Sequence, residues 1–245
     1  MGAYYNEFKP EAAHMLRQLI KDGLIADGEV DERSITEVTA DDVKGFTQCH
    51  FFAGIGGWSV ALRKAMWSDD RPVWTGSCPC QPFSTAGRKA GTGDERDLWP
   101  TWFSLIQQLR PTSVYGEQVS SAISHGWLDR IYVDMEAEGY AIGAACLPAC
   151  SIGAPHKRER LFFVADTECA GLQRLEQDNG VSGSERAPHT EPGDPFLVIR
   201  RAMAGDFSFI RKCDGLLLAD ERKHIEVYGN AIVPEVASRF IQACM

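Results

Sequence analysis

The chain has 245 residues, of which 44% are hydrophobic and 24% charged, and its formal net charge is −9. This length and apolar content indicate one globular domain with room for a small appended lobe. No apolar run reaches the roughly 20 residues that a membrane-spanning helix needs, and the first residues lack the apolar core of a signal peptide. A negative balance counts against a nucleic-acid partner, unless the basic residues are segregated on one face.

The cysteine content points to a reducing compartment. Eight cysteines in a chain of this length lack the density of a disulfide scaffold. We therefore expect reduced thiols and a cytoplasmic protein without a membrane partner.

The first part of the chain alternates short apolar strands with amphipathic helices. Apolar residues at helical spacing, a proline near the start and a glycine at the end identify the first helix. The predicted order is a strand in "AYYNEF", a helix in "KPEAAHMLRQLIKDGL", a strand in "TQCHFFAG", a helix in "WSVALRKAMW" and a strand in "PVWTG".

The same alternation resumes after a glycine-rich, charged loop, "TAGRKAGTGDERD". The predicted elements are a helix in "LWPTWFSLIQQLR", a strand in "TSVYGEQV", a helix in "WLDRIYVDMEAEGY", and strands in "AIGAACLPA" and "RERLFFVAD". Strands that alternate with helices predict an α/β fold, here a mostly parallel, Rossmann-like sheet with helices on both faces.

The remainder of the chain changes character. Residues 166–195 are polar and rich in turn formers, which is typical of a surface excursion or a small recognition lobe. The final stretch, "VYGNAIVPEVASRFIQACM", has a Gly-Asn turn followed by an amphipathic helix. The predicted division is therefore a main domain over 1–165, a small lobe over 166–224, and a segment over 225–245 that returns to the main domain.

The glycine-rich stretch "FFAGIGG", residues 51–57, lies between a predicted strand and a predicted helix. Ligands bind at the carboxyl ends of strands in such sheets, and glycines allow the backbone to approach them closely. The stretch could equally be a turn that only connects two elements. It is neither the spaced dinucleotide fingerprint nor a phosphate loop, because no Gly-Lys-Ser/Thr follows.

Cys80, in "GSCPCQPFS", has three possible roles. Only a thiolate is a good nucleophile, and exposed amides or an arginine near a strand end could favour it. A zinc site would need partners such as Cys78, Cys146 and Cys150, but none has the paired spacing of a zinc ribbon. Burial as an apolar filler suits Cys78 better than Cys80, whose flanking Pro79 and polar loop indicate a rigid, exposed turn.

Two further strand ends carry charge. Glu117 ends the apolar strand in "VYGEQV", and Arg158 and Arg160 precede the strand in "HKRERLFFV". Two residues apart, both arginines would point to one side if the strand has already begun. Each could be a solvated charge at a strand edge. Together with Cys80, however, they would place a thiol, an acid and a basic pair on one rim of the sheet.

With these motifs in this order, the chain resembles the cytosine-5 DNA methyltransferase family over most of its length. The stretch "FFAGIGG" resembles the family's cofactor loop, and "GSCPCQPFS" resembles the family's Pro-Cys-Gln nucleophile motif. Its Glu-Asn-Val motif resembles "GEQV", with Gln118 in place of asparagine, and its Gln-Asn-Arg-Glu-Arg motif resembles "HKRER", from which His156 and Lys157 depart. Its last two motifs resemble "CDGL" and "YGNAIVP".

One departure concerns the order of the cofactor motifs. Roughly twenty residues separate Gly57 from Cys78, too few for the two acidic strand–helix units that the family usually places there. Similar motifs stand at the front instead, which would make Glu7 the ribose ligand and put Asp31 near the adenine amine. We therefore predict that the family's second and third strands come first along this chain and that its first and fourth strands follow. The sheet would keep the spatial order third, second, first, fourth, and the first helix would join adjacent strands by a short right-handed crossover. The alternative is an unrelated cap at the front.

The resemblance implies a reaction and a role for each motif residue. Cys80 would attack carbon 6 of a cytosine flipped out of duplex DNA, and Glu117 would hold or protonate ring nitrogen 3. Arg160 would hold the exocyclic oxygen, while Arg158 would support Glu117 or a phosphate. The methyl group for carbon 5 would come from S-adenosylmethionine.

The resemblance also implies two sets of binding residues. The cofactor would contact the glycine loop, where Phe52 stacks on adenine, together with the acidic and late motifs: Phe52, Ala53, Gly54, Ile55, Gly56, Gly57, Glu7, Asp31, Pro79, Asn230 and Ala231. DNA would contact the loop after Cys80 and the small lobe through Ser84, Arg88, Lys89, Arg96, Arg200 and Arg201, with His189, Arg211 and Lys212 as further candidates. We expect no metal, a monomer, and the cytoplasm of a bacterial or phage-infected cell.

Three alternatives stay open at this point. An RNA cytosine-5 methyltransferase would fit the small lobe and the acidic charge. A catalytically silent relic that binds cofactor or DNA would fit the altered "EQV" and "HKRER" motifs, although the cysteine, the acid and both arginines are present. A zinc-site protein would need several of the cysteines as ligands.

Overall fold

Seven short strands form one sheet in the computed structural model, which describes residues 2–79, 97–152, 154, 157–168 and 232–245. They are β1 (Ala3–Asn6), β2 (Gly28–Asp31), β3 (Gln48–Phe51), β4 (Val73–Gly76), β5 (Ser113–Val119), β6 (Ala141–Pro148) and β7 (Glu159–Asp166). Their spatial order is β2-β1-β3-β4-β5-β7-β6. Neighbours from β2 to β5 run parallel, whereas β7 runs antiparallel to both β5 and β6. The predicted mostly parallel α/β sheet is confirmed.

Helices cover both faces of this sheet. Those described are α1 (Pro10–Lys21), α2 (Ala40–Val43), α3 (Gly57–Lys64), α4 (Trp99–Leu109), α5 (Trp127–Ala137) and α6 (Pro234–Cys244), with 3-10 turns at Ile35–Glu37, Ser120–His125 and Ala149–Ile152. Proline occupies the first turn of α1, α4 and α6, where its missing N–H would have no helical partner in any case. None of the described helices is long and apolar enough to cross a membrane.

Alternating strand residues divide the core between the two faces. On the first face, Tyr5 and Tyr115 lie beneath α1, α3 and α6: the Tyr5 hydroxyl contacts Ser59 of α3, and the Tyr115 ring packs on Phe240 of α6. On the second face, Phe51 contacts Trp102 of α4 in the cluster that also contains residues of α2 and α5. The sheet is therefore buried on both sides, as the continuous apolar strands predict.

The strand order agrees with the rearrangement expected from the sequence. The sequence placed the third, second, first and fourth strands side by side, and these correspond to β2, β1, β3 and β4. Ala3 of β1 pairs with Gly28 on one side and Gln48 on the other, and Gln48 pairs with Val73 of β4. The front of the chain is thus an integral edge of the sheet and not an unrelated cap.

The four crossover connections from β1 to β5 do not all have the same hand. The connection β1–α1–β2 steps towards the β2 edge with its helix on the first face, whereas β2–α2–β3 and β4–α4–β5 step the other way with helices on the second face. These three connections share one hand. The connection β3–α3–β4 also steps away from the β2 edge, but α3 lies on the first face, so its hand is opposite. Because such crossovers are right-handed in about 98% of cases, we assign the left-handed one to α3.

Most of the predicted small lobe, 166–224, lies outside the described residues. Within 225–245 the described part is 232–245. Its helix α6 packs on the first face, where Phe240 contacts Phe162 as well as Tyr115. The division into a main domain, a lobe and a returning segment stays a prediction.

Candidate active site

Glu117 and Arg160 form a buried ion pair at the carboxyl end of β5. Arg160 Nε lies 2.9 Å from Glu117 Oε1, and the two side chains are 20% and 7% exposed. The antiparallel register pairs Val119 with Arg160, so both charged side chains point to the first face. In a parallel pair, the start of one strand and the end of its neighbour would lie on opposite rims of the sheet. Glu117 near the end of β5 and Arg160 near the start of β7 share one rim because β7 runs antiparallel to β5.

Ser77 and Trp58 complete the surroundings of this carboxyl. Ser77 follows β4, and the pairing of Gly76 with Gly116 of β5 places it beside Glu117, whose pKa its hydroxyl acts to lower. The indole Nε1 of Trp58, in the first turn of α3, donates to Ser77 Oγ over 3.1 Å. Three elements of the sheet and one helix therefore converge on one carboxyl.

Burial dominates the electrostatics of Glu117. Removal from water raises the pKa of its carboxyl, although Arg160, Arg158 and the Ser77 hydroxyl all act in the opposite direction. Burial likewise lowers the pKa of Arg158, with repulsion from Arg160 adding to it and attraction to Glu117 opposing it. A carboxyl in such surroundings can hold and transfer a proton nearer neutral pH than an exposed glutamate.

Arg158 reaches this region from outside the strand. β7 begins at Glu159, and Arg158 has a positive φ of 27°. The alternation rule for strands therefore does not apply to Arg158, and the two arginines do not form the side-by-side pair that a longer strand would give. The backbone around Arg158 is held by Ala149, whose N–H donates to the carbonyl oxygens of Lys157 and Arg158.

Gln118 connects the end of β5 to the segment that precedes Cys80. Its Nε2 donates to the Cys78 carbonyl oxygen over 3.3 Å, and its Oε1 accepts from the Val119 N–H over 2.9 Å. The longer side chain that replaces the family's asparagine thus fixes the backbone two residues before Cys80. Cys78 itself is buried, and burial raises its pKa well above the ordinary value.

Burial raises the pKa of two other described thiols, as it does for Cys78. Burial raises the pKa of Cys49 to about 12 and that of Cys146 to about 11. Thiols of this kind are poor nucleophiles at neutral pH, which agrees with the interpretation of Cys78 as a buried filler. Within the described ranges, no group of three or more histidine, cysteine or acidic side chains could hold a metal ion.

The glycine loop lies between β3 and α3, and three alternate residues in it have a left-handed backbone conformation. Phe52, Gly54 and Gly56 have positive φ values of 52°, 56° and 77°. A Cβ atom added at Gly54 would meet nothing within 4 Å, so this part of the loop faces open space. The N-terminus of α3, which begins at Gly57, favours a negatively charged group such as a carboxylate. The loop therefore fits the methionine end of S-adenosylmethionine.

Glu7 lies beside this loop, directly after β1. Its Oε2 accepts from the Gly54 N–H over 2.7 Å, and its Oε1 accepts from the Lys9 N–H over 2.9 Å. β1 continues towards one edge of the sheet and β3 towards the other, so this is the topological switch point at which α/β sheets bind ligands. A carboxylate has about four acceptor positions, which leaves Glu7 able to accept from a ribose hydroxyl as well.

The Asp31 carboxylate accepts more hydrogen bonds within the protein than the Glu7 carboxylate does. Arg33 donates to it through its backbone N–H, Nε and Nη2, and the Tyr4 hydroxyl donates over 2.7 Å. Although burial acts to raise the pKa of Asp31, these hydrogen bonds outweigh it and lower the pKa. An adenine amine at this carboxylate would therefore have to displace Arg33 or Tyr4.

Comparison with known proteins agrees with this geometry. The family described as C-5 cytosine-specific DNA methylase matches residues 68–179, the part that carries Ser77, Glu117, Arg158 and Arg160. Over these residues the chain is similar to the C-5 cytosine-specific DNA methylases. The Type II methyltransferase M.AplI of Arthrospira platensis is 35% identical over 95 residues, which cover 38% of this chain and 28% of that protein.

A second curated relative and a solved structure show the same similarity. The Type II methyltransferase M.NgoMIV of Neisseria gonorrhoeae is 26% identical over 160 residues, which cover 49% of this chain and 51% of that protein. The matches thus span about half or less of these relatives. A crystal structure of S. pombe Dnmt2 methyltransferase aligns with 99% of this chain and 97% of its own at a TM-score of 0.52 and 12% identity, which supports the fold.

Several residues that the family resemblance singled out are not described by the structure. Pro79 is exposed and is the last described residue before this gap. The other cofactor and catalytic candidates outside the described residues are Cys80, Asn230 and Ala231, and so are all of the DNA-contact candidates: Ser84, Arg88, Lys89, Arg96, His189, Arg200, Arg201, Arg211 and Lys212. Their roles stay predictions.

The sequence alone did not assign a role to three side chains that the structure places at the site. Ser77 and Trp58 contact the carboxyl directly or through one hydrogen bond, and Gln118 holds the Cys78 carbonyl. Ser77 and Gln118 lie inside quoted motifs, so their positions were a usable signal. Trp58 resembles any apolar residue of an amphipathic helix, and nothing in the local sequence distinguishes it.

Proposed function

We propose that this chain transfers a methyl group from S-adenosylmethionine to carbon 5 of a cytosine flipped out of duplex DNA. The observation that carries the proposal is the buried Glu117 carboxyl with its raised pKa, paired with Arg160 at 2.9 Å on the rim that leads to Cys80. The similarity of residues 68–179 to the C-5 cytosine-specific DNA methylases supports the reaction class. The glycine loop beside Glu7 supplies a place for the cofactor.

The proposed reaction begins with covalent activation, because carbon 5 of cytosine is a poor nucleophile. The Cys80 thiolate bonds to carbon 6, while Glu117 gives its proton to ring nitrogen 3, so that the ring becomes an enamine. Arg160 then holds the exocyclic oxygen and balances the ionised Glu117. Both groups need a dry pocket, and the near-complete burial of Glu117 provides one.

Methylation and release complete the proposed cycle. S-adenosylmethionine supplies an electrophilic methyl group, which carbon 5 of the enamine accepts. A base then removes the carbon 5 proton, the bond between carbon 6 and Cys80 breaks, and the ring proton returns to Glu117. The flipped base costs a few kcal/mol of unstacking, which contacts from the proposed recognition lobe at 166–224 and the loop after Cys80 would offset.

A trapping experiment tests this proposal. Duplex DNA that contains 5-fluorocytosine cannot lose a proton from carbon 5, so we expect a denaturation-resistant adduct in the presence of S-adenosylmethionine. The adduct should be absent with Cys80→Ser and present with Cys244→Ser, a matched thiol change in α6. No adduct with the unchanged protein, or an adduct that survives Cys80→Ser, would overturn the proposal.

The small size of the predicted lobe at 166–224 makes an RNA cytosine the second candidate substrate, whereas the net charge of −9 does not distinguish two polyanions. The same trapping experiment with 5-fluorocytosine in tRNA distinguishes the two. Bisulfite sequencing of DNA from cells that express the protein would then identify the methylated sequence. Methylated tRNA with unmodified DNA would exclude the DNA substrate and keep the chemistry.

A further inference from the structure

Ser77 lies between a group that can only donate a hydrogen bond and a group that, when ionised, can only accept one. The Trp58 indole N–H donates to Ser77 Oγ over 3.1 Å. The pairing of Gly76 with Gly116 places Ser77 beside Glu117, where its hydroxyl acts to lower the pKa of the carboxyl. An indole nitrogen has no acceptor capacity, and a serine hydroxyl has a single proton. The Trp58 contact therefore directs that proton to Glu117.

The carboxylate thus receives donors from two separate elements. Arg160 Nε donates from β7 to Oε1 over 2.9 Å, and Ser77 donates from the end of β4. Two donors from different directions fix the plane of a carboxylate, which a single ion pair leaves free to rotate. A glutamate that must give a proton to one ring nitrogen needs a fixed plane.

We propose that Ser77 is a positioning residue whose hydroxyl, aligned by Trp58, fixes the orientation of the Glu117 carboxyl and stabilises its ionised form. The proposal concerns the same site as the proposed methyl transfer, and its catalytic consequence rests on that function. Its structural part, a hydrogen-bonded connection from Trp58 to Glu117, does not. In chemical terms Ser77 limits how strongly Glu117 retains its proton, so that the carboxyl can both give and take it back within one cycle.

The charged and titratable groups around Glu117 are few among the described residues. Arg160 in β7 and Arg158 just before it both favour the ionised carboxyl. Ser77 and Trp58 contribute hydrogen bonds from the β4 and α3 sides. Tyr115 lies two residues earlier on the same face of β5. A comparison with Glu117→Gln therefore identifies which pH effects belong to Glu117.

The indole N–H of Trp58 offers a direct readout that needs no catalysis. In ¹H–¹⁵N spectra we expect its resonance, assigned by its loss in Trp58→Phe, to shift with pH as Glu117 titrates. The shift should vanish in Glu117→Gln and in Ser77→Ala. Trp67 is the internal control, because its indole N–H donates to the Arg71 carbonyl oxygen over 3.1 Å in the same hydrophobic cluster.

The pH profile of kcat/KM provides the catalytic readout. Removal of the Ser77 hydroxyl withdraws a hydrogen bond from the ionised carboxyl, so the limb that requires protonated Glu117 should move to higher pH in Ser77→Ala. A hydrogen bond to a charged group corresponds to a movement of about one pH unit. Ser77→Thr keeps a hydroxyl and should keep the limb in place. Ser59→Ala removes a buried hydroxyl of α3 that contacts Tyr5 and Ala26 instead, and it should not move the limb.

The outcomes separate this proposal from the proposed function. A Trp58 resonance that ignores pH in the unchanged protein, or that titrates equally in Ser77→Ala, would overturn the role of Ser77. If Trp58 follows Glu117 through Ser77 but neither DNA nor RNA is methylated, the connection stands and the methyl transfer is wrong. If methyl transfer occurs and Ser77→Ala leaves both readouts unchanged, the function stands and Ser77 is only a structural residue.

Discussion

The charge state of a single buried histidine ties the stability of the sheet to pH. His50 lies in β3, where its ring stacks on Tyr5 with centroids 4.8 Å apart and its Nδ1 lies 2.8 Å from Thr75 Oγ1. Its Nε2 has no hydrogen-bond partner among the described residues. Complete burial lowers the pKa of His50 to about 3, so the native protein holds this ring neutral at every pH at which the unfolded chain begins to protonate it.

The resulting prediction concerns acid sensitivity. In the unfolded chain His50 titrates near its ordinary pKa of about 6.5. Its contribution to stability is therefore complete above pH 6.5 and is lost as the pH falls from there towards 3. The unfolding free energy should decrease by about 1.4 kcal/mol per pH unit more in the unchanged protein than in His50→Asn. Urea unfolding at pH 7, 6 and 5 measures this difference, and parallel slopes for the two proteins would contradict it.

At the scale of elements, the packing of α3 against the segment that leads into α6 depends on a glycine. A Cβ atom added at Gly57 would lie 2.2 Å from Ile232 Cγ2, which is closer than any real contact. α6 belongs to the core through Phe240, which contacts Tyr115 and Phe162. Gly57 therefore serves the packing of the last helix as well as the glycine loop that it ends.

We expect Gly57→Ala to destabilise the protein by about 1–3 kcal/mol, the usual result of overpacking a core. Ile232→Ala removes the methyl group that clashes, so the double variant should be less destabilised than the sum of the two single variants. Thermal or urea unfolding of all four proteins gives the coupling energy. Additive effects would show that Gly57 and Ile232 do not meet.

The elements were predictable from sequence because their signals are local. Strands such as β4 and helices such as α1 follow from runs and periodicities within about a dozen residues. The direction of β7 and the face occupied by α3 are settled by distant contacts, including Ser59 with Tyr5 and Trp58 with Phe162. The same holds for the site: Glu117 and Arg160 were predictable as strand ends, whereas the connection from Trp58 to Ser77 joins residues whose proximity depends on the complete sheet.

At the scale of the whole molecule, the rearranged strand order has a topological consequence. The first-face position of α3 keeps its N-terminus beside the glycine loop and Trp58 over Ser77. To reach β4 from there the chain must make a crossover of the uncommon hand. The arrangement also puts the topological switch point between β1 and β3, where Glu7 and Gly54 share a hydrogen bond. The site therefore keeps its geometry, although the chain must form the uncommon left-handed connection from β3 through α3 to β4.

A chain with the strands in the family's usual order should therefore form the same sheet. Such a chain would run 47–69, a short glycine linker, 2–46 and then 70–245. Both new joints are short, because the Gln48 Nε2 donates to the Ser68 carbonyl oxygen beside β1, and the Val73 N–H donates to the Thr47 carbonyl oxygen. Every parallel crossover would then have the same hand.

We expect this rearranged chain to unfold cooperatively with a Tm within about 5 °C of the original, equivalent to roughly 1–2 kcal/mol for a domain of this size. The control is the original order with the same glycine linker inserted after residue 69, which isolates the effect of the linker. Circular dichroism and thermal unfolding report the fold, and the Trp58 indole resonance reports the carboxyl site. If the control folds and the rearranged chain does not, the left-handed connection is a requirement of this sequence, and the strand order observed here would have to be part of how the chain folds.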